Sequence, residues 1–415
     1  MAGIAKASIA SQNEAAASIT DIARLSAALD RVAGPIAERA AAVDRSGAFP
    51  HENMKTLHEA GLLGVCLPKE QGGLGLGPNG DYEPFFTIND RMGALCGSTA
   101  QVLFVQNASV VTLRMMATKQ RMQSFADAIH SRGASFCYVG AEPNDRFTKT
   151  GQRIMSETIA KRVKGGWNVT GKKAFATGSG GASFIIAYCM PEGEEDQNKM
   201  LVVVTPVDAP GVKVIDSWDN MGQRATTSGM IEFDNCFVPD DMVLGEPGAF
   251  FEVKILGAIY QLGFAALLTG FAQGALDFTV NFVKNSLRPT VGFENAAHEP
   301  NIQVHIADMS TDIEASRALW KRAANMLKES ERGNGSMFSA MNAVYNARTF
   351  ATQISVAVGS RLFQICGARS TAGGLDADRF WRNARTLSLH DNLDRQRGII
   401  GRYVLGIENP AIGTR

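Results

Sequence analysis

Apolar residues near the start of the chain recur at helical spacing. Ile22, Leu25, Leu29, Val32 and Ile36 fall at steps of three and four, which puts them on one helix face. Pro35 interrupts that run, and its fixed φ and missing amide hydrogen predict a bend or a restart. A second helical stretch surrounds Met54 to Ala60 and stops at Gly61, before a loop rich in glycine and proline. Helical patterning resumes from about Tyr82 to His130. From Ala134 the pattern changes to short runs rich in Val, Ile and Phe, separated by turns. Ser135–Val139, Gly166–Val169, Phe184–Cys189, Met200–Thr205 and Met230–Phe233 read as strands, and Lys164-Gly165-Gly166 reads as a hairpin turn. After Gly248 the pattern is helical again. Ile306, Met309, Ile313, Trp320 and Leu327 predict one long amphipathic helix.

The order helices, strands, helices predicts an α+β chain and argues against a doubly wound sheet. Gly72 to Gly77 lie in a loop between helical stretches, not after a strand, so a dinucleotide fingerprint is a poor reading. A chain of 415 residues exceeds one small core. The expected parts are a helical unit at 19–133, a β unit at 134–248 and a helical unit at 249–415. The first 18 residues, small and polar, are expected to form a loose arm.

Composition removes several function classes. Lys plus Arg and Asp plus Glu both number 41, so no basic excess invites nucleic acid or an anionic membrane. The six cysteines are scattered, with no C-x-x-C pair and no zinc-like spacing. They read as free thiols in a reducing compartment. The first residues lack the apolar core of a signal peptide, and no run of 18 apolar residues exists. A cytoplasmic protein with no membrane span is the expectation.

Several motifs then point one way. They are GLLGVCLPKEQGGLGLG at 61–77, Glu142-Pro143 after the first strand, WNVTGKKAFATGSGGA at 167–182 and WDNMGQRATTSGMIEFDNCFVPDDMVLG at 218–245. Over roughly residues 20–410 the chain resembles the acyl-CoA dehydrogenase superfamily. The resemblance implies an N-terminal α-helical domain, a central β-barrel-like domain and a C-terminal four-helix bundle, assembled as a homotetramer. RFWRNARTLSLHD at 379–391, NSLRP at 285–289 and CGAR at 366–369 resemble the dibenzothiophene monooxygenase type of flavin monooxygenase. That type takes reduced flavin from a separate reductase and forms a C4a-hydroperoxyflavin with O2. The resemblance favours reduced FMN, with FAD as the alternative flavin, and a small, largely apolar heteroatom-containing or aromatic substrate.

A dehydrogenase of this fold needs a carboxylate base within reach of an acidic C–H. Many members carry it in Tyr-Glu-Gly, where this chain reads His390-Asp391-Asn392. Aspartate sets the base back by about 1.5 Å, which degrades near-attack geometry. An acyl-CoA dehydrogenase or nitroalkane oxidase-type flavoenzyme with Asp391 as base is the alternative. A monooxygenase needs a proton donor instead, and His390 suits it, oriented by Asp391 or Ser388. The plainer reading is a helix-terminal histidine that packs or caps.

The resemblance implies flavin contacts at Tyr138, Ala141, Phe175 and Thr177. Thr177 would offer its hydroxyl or N–H to flavin N5 or O4, against the alternative of a strand threonine. Trp218 either stacks near the ring or fills the barrel edge. Arg288 and Arg369 are candidates for the flavin phosphate. Arg379, Arg382 and Arg385 are expected to pair with acids at a subunit interface. Where the resembled enzymes carry a His and a Tyr, this chain has Gln101 and Val105, which makes dibenzothiophene itself a doubtful substrate. Gln101, Phe104, Val105 and Asn107 form either a substrate pocket with amide groups and an apolar wall or a core helix with buried amides. A non-enzymatic helical assembly protein is the third reading.

Overall fold

The computed structural model describes residues 19–144, 146–147, 153–154 and 157–410. The expected N-terminal arm lies outside the described residues. Helix α1 (Ile22–Ser46) buries Leu25, Leu29, Val32 and Ile36 and is capped by the Asp21 side chain. It runs through Pro35 as one assigned helix, so the expected restart does not occur. After α2 (His51–Glu59), the stretch read as continuously helical is three helices: α3 (Tyr82–Leu95), α4 (Gly97–Met116) and α5 (Lys119–Arg132). Gly133, with φ 65°, ends α5 in the left-handed region.

The middle of the chain forms β1 (Phe136–Val139), β2 (Arg146–Phe147), β3 (Arg153–Ile154), β4 (Ile159–Val163), β5 (Gly166–Ala176), β6 (Phe184–Pro191), β7 (Leu201–Pro206), β8 (Val212–Ile215) and β9 (Gly229–Pro239). Lys164 and Gly165 turn β4 into β5, with Val163 paired to Gly166. The main sheet has the order β1-β6-β4-β5-β9-β8, with β7 added on β6. Among the described residues no pairing joins β8 to β7, so the sheet curls without closing into a barrel. Strands β5 and β9 are each eleven residues long, nearly three times the apolar runs visible in the sequence, because their outer positions alternate with polar residues. Two register shifts in β5, between Val169 and Gly171 and between Lys173 and Ala176, bend it where it meets the helices.

The last part holds α6 (Ala249–Glu252), α7 (Leu256–Asn285), α8 (Pro300–Glu331), α9 (Met337–Cys366), α10 (Asp378–Ser388) and α11 (Leu393–Val404). Helices α7, α8 and α9 pack side by side, and α10 and α11 lie against α9. The fourth place in the bundle is thus shared by two short helices, and the break between them carries His390 and Asp391. Helix α7 is long and apolar enough to cross a membrane, but 78% of its most apolar stretch is buried in the fold. It is the core helix, sandwiched between α3 and α9. Gly270 allows that closeness, since a Cβ there would sit 2.2 Å from the Asp90 carbonyl oxygen on α3.

Candidate active site

Two adjoining cavities of about 590 and 390 Å³ lie where the concave sheet meets α4, α7 and the α10–α11 break. Both are lined by Gln101, Ala141, Phe175, Thr177 and His390. The larger adds Trp218, Gln223, Ser228 and Thr386, and the smaller adds Val105, Tyr138, Tyr260, Phe264 and Asp391. Nine of the residues expected at the site therefore meet here: Gln101, Val105, Tyr138, Ala141, Phe175, Thr177, Trp218, His390 and Asp391.

The sheet side is held by unusual backbone. Phe175 has φ 60°, at the β5 register shift, and the residue is 65% exposed and lines both cavities. A bulky residue in the left-handed region costs of order 1–3 kcal/mol and persists only where the surroundings enforce it. Trp218 meets the Phe175 ring edge-on at 6.4 Å. Trp218 donates its Nε1–H to the Gln223 carbonyl at 2.8 Å, so the indole is also tied into its own loop. Gln223 (φ 53°) and Thr227 (φ 43°) sit in the same strained region. Helix α10 pins this loop: the Asn383 side chain accepts the Gln223 N–H at 2.7 Å, and a Cβ on Gly222 would meet the Arg382 carbonyl oxygen at 2.1 Å. Below Ala141, Glu142 and Lys173 form a buried ion pair at 3.1 Å, and Glu142 also accepts the N–H groups of Glu157 and Thr158. The Ala141 carbonyl accepts the Ala174 N–H at 2.9 Å, which fixes the turn on β5. The Thr177 N–H is taken by the Phe175 carbonyl at 2.9 Å, so the hydroxyl is the group left to face a ligand.

On the helix side, the His390 ring packs against Phe264 of α7, with centroids 4.4 Å apart and the planes tilted by 51°. Asp391 accepts from Gln261 Nε2 at 3.2 Å, Gln396 Nε2 at 2.8 Å and the Asn392 N–H at 2.8 Å. Several expectations need correction. Ser388 does not orient the histidine: it is buried and bonds Arg385, donating to its carbonyl at 2.7 Å. Phe104 lies behind the wall against Tyr260 and Phe264, and Asn107 points to the Leu62 carbonyl, so both are core. Arg288 and Arg369 line neither cavity. They are exposed, and Arg369 donates to the Ser286 carbonyl just beyond the far end of α7. The α7 axis from Tyr260 to Asn285 alone spans roughly 38 Å. Arg382 pairs within the chain with Asp44 and Asp378 instead of at an interface. Its guanidinium pKa is raised although burial opposes this, because the two carboxylates bond it.

Other groups were missed. Gln101 Oε1, both amide atoms of Gln223, Thr386 Oγ1 and the Tyr260 hydroxyl are buried without a hydrogen-bond partner among the described residues. All line the cavities. Buried polar atoms are normally satisfied, so these could pair with a ligand that carries donors and acceptors. The heteroatom-rich edge of an isoalloxazine fits that requirement. Of these four residues, only Gln101 was singled out from sequence, because a lone Tyr or Gln carries no spacing signal.

Arg348 of α9 is 1% exposed, lies 5.4 Å over the Phe264 ring and donates to the Leu387 carbonyl, with Nε and one Nη unpaired. Burial pushes its pKa down to about 10, partly offset by the Asp391 charge, so it stays cationic at neutral pH. A depression from 12.5 to about 10 corresponds to a penalty of roughly 3 kcal/mol. The unfolded chain holds this proton more tightly, so the penalty is full below pH 10 and fades as pH rises toward 12.5. Arg348→Met is therefore expected to raise the urea-unfolding free energy at pH 7 by about 1–3 kcal/mol. A decrease would show that the charge is compensated in the fold.

Comparison with known proteins gives the family. Acyl-CoA dehydrogenase family models match along the chain: the N-terminal domain over residues 24–131, the middle domain over 137–236 and the C-terminal domain over 262–395. The chain is 26% identical to the dibenzothiophene monooxygenase of Mycolicibacterium goodii, over 89% of this chain and 91% of that protein. It is 27% identical to a probable FMNH2-dependent monooxygenase of Pseudomonas putida, over 92% of this chain and 94% of that protein. In fold it is similar to the dibenzothiophene monooxygenase of Paenibacillus sp. A11-2 in complex with FMN and indole. That match has a TM-score of 0.86 at 23% identity, and covers 95% of this chain and 99% of that one. The chain belongs to the acyl-CoA dehydrogenase family.

Proposed function

We propose that this protein is a flavin-dependent monooxygenase. It takes reduced FMN from a separate reductase and uses O2 to oxygenate a small, largely apolar heteroatom-containing or aromatic substrate. The observation that carries this reading is the state of Asp391. Its carboxylate already accepts three N–H donors, two of them on one oxygen, which leaves one of its four lone-pair sites to take a proton from carbon. His390, beside it, lines both cavities. The curated relatives named above support the same reading, and FMN is the flavin in both the relative's name and the structural neighbour's complex.

When bound, reduced flavin supplies the electrons that activate oxygen. The residues of this chain do the rest. Phe175 and Trp218 would hold the ring, and Thr177, Gln101, Gln223 and Thr386 would offer it polar contacts. His390 would hold a proton in the cavity. Phe264 and the side chains of Tyr138, Tyr260 and Val105 keep water out and receive the substrate. Arg288 and Arg369 lie too far along α7 to serve this cavity. They serve the flavin phosphate of a neighbouring copy in a homotetramer, in the cytoplasm.

The test is an anaerobic titration with reduced FMN, followed by rapid mixing with oxygenated buffer. Expected is a return of oxidised-flavin absorbance slowed about tenfold or more relative to free reduced FMN, because the site excludes water. Reoxidation at the free-flavin rate, with tightly held FAD reducible by an acyl-CoA thioester, would move the assignment to the Asp391 dehydrogenase.

A further inference from the structure

Four oxygen atoms at the edge of the larger cavity form a chain. Thr226 Oγ1 is 2.9 Å from the Gln223 carbonyl oxygen, 2.8 Å separates Thr226 Oγ1 from Ser228 Oγ, and 2.9 Å separates Ser228 Oγ from Thr177 Oγ1. All three hydroxyls belong to buried residues. Thr177 and Ser228 line the cavity, while Thr226 lies behind them and is fully buried.

The direction of this chain is set by its far end. The Gln223 carbonyl, which also takes the Trp218 Nε1–H and the Thr226 N–H, only accepts; with three hydroxyl hydrogens for three gaps, the gap to Gln223 is filled by the Thr226 hydrogen. A hydroxyl carries one hydrogen, so Thr226 must accept from Ser228, and Ser228 must in turn accept from Thr177. Reversal anywhere would leave two oxygens below 3 Å with no hydrogen between them, in a buried site where that is costly. The Thr177 hydrogen is therefore spent on Ser228. Its N–H is spent too, on the Phe175 carbonyl. What Thr177 presents to the cavity is a lone pair.

The two redox states of a flavin differ at the atom expected there. Reduced flavin carries N5–H, a donor; oxidised flavin carries an N5 lone pair, an acceptor. We propose that the Gln223–Thr226–Ser228–Thr177 chain makes Thr177 an obligate acceptor, so that the site selects reduced over oxidised flavin. Thr226 and Ser228 are positioning residues in this scheme, acting through Thr177. The inference rests on the flavin reading of the cavity, and it gives a physical means for a protein without its own reductant to load the useful form and release the spent one.

The experiment measures dissociation constants for oxidised and reduced FMN anaerobically, by flavin fluorescence and absorbance, on the full-length protein. Wild type is expected to prefer reduced FMN by about tenfold or more. Ser228→Ala and Thr226→Val each free the Thr177 hydrogen to turn toward N5. Both are expected to tighten oxidised FMN and narrow the preference about tenfold. That lowers the midpoint potential of bound flavin by about 30 mV for a two-electron couple. Ser228→Thr keeps the hydroxyl and should restore the wild-type ratio. Thr226 touches no ligand, so a merely structural role would weaken both redox forms together and leave their ratio unchanged. Unchanged ratios in both variants, or equal affinities in wild type, overturn the proposal while the flavin reading stands. Failure of both FMN forms to bind overturns both.

Discussion

Lys173→Met is expected to lower the unfolding free energy by roughly 3–5 kcal/mol. Lys173 and Glu142 are 0% and 1% exposed in their side chains and lie 3.1 Å apart. Removing the cation leaves a carboxylate in the interior with its charge uncompensated. Water cannot rescue it, because the pair sits between β5 and the turn after β1. The damage reaches the site, since Glu142 also bonds the N–H groups of Glu157 and Thr158 and its neighbour Ala141 lines both cavities. Adding Glu142→Gln to the variant removes the stranded charge and keeps an oxygen for those two N–H groups. The double variant should therefore recover much of the loss. Guanidinium unfolding followed by far-ultraviolet circular dichroism measures both. A single-variant loss below about 1 kcal/mol would show that the interior solvates the lone carboxylate.

The second large effect concerns catalysis. His390→Ala is expected to cut oxygenated product per reduced flavin by about 10²–10⁴-fold, the range for loss of a positioned proton donor. Oxygen consumption should continue, with the electrons appearing as hydrogen peroxide. Asp391→Asn should cost less than about tenfold, because its neighbours Gln261 and Gln396 can still hold an amide in place. Product and peroxide assays on the same samples decide between the two readings. If Asp391→Asn is the crippling change and His390→Ala the mild one, the carboxylate is the base and the oxygenase assignment falls. The geometry favours the histidine because it lines both cavities, whereas Asp391 lines only the smaller.

Much of the architecture was legible because one-sided burial leaves a period in the sequence. Leu25, Leu29, Val32 and Ile36 form the buried stripe of α1, and Met309, Ile313, Trp320 and Leu327 that of α8. The glycine turn between β4 and β5 and the apolar runs of β6 and β7 declared themselves through local backbone chemistry. Helix α4 shows where this ends. Every residue from Gly97 to Leu113 is buried, so no polar face marks the side that lines the cavity. Gln101 and Val105 line it while Phe104 and Asn107 do not, and only the placement of α7 and β1 against α4 makes that choice.

The same holds for the chemistry. The motifs located His390 and Thr177, since both lie in short runs whose order is visible. The left-handed backbone of Phe175 has no signature in the sequence, because phenylalanine is the wrong residue for it and only the β5–β9 register shift imposes it. The hydroxyl chain joins Thr177 to residues about fifty positions away, and the unpaired charge of Arg348 follows from which carboxylates fail to reach it. Periodicity and turn residues act between near neighbours and are written in the chain. Hydrogen-bond direction, desolvation and cavity lining depend on groups that only folding brings together, and the tertiary structure alone decided them.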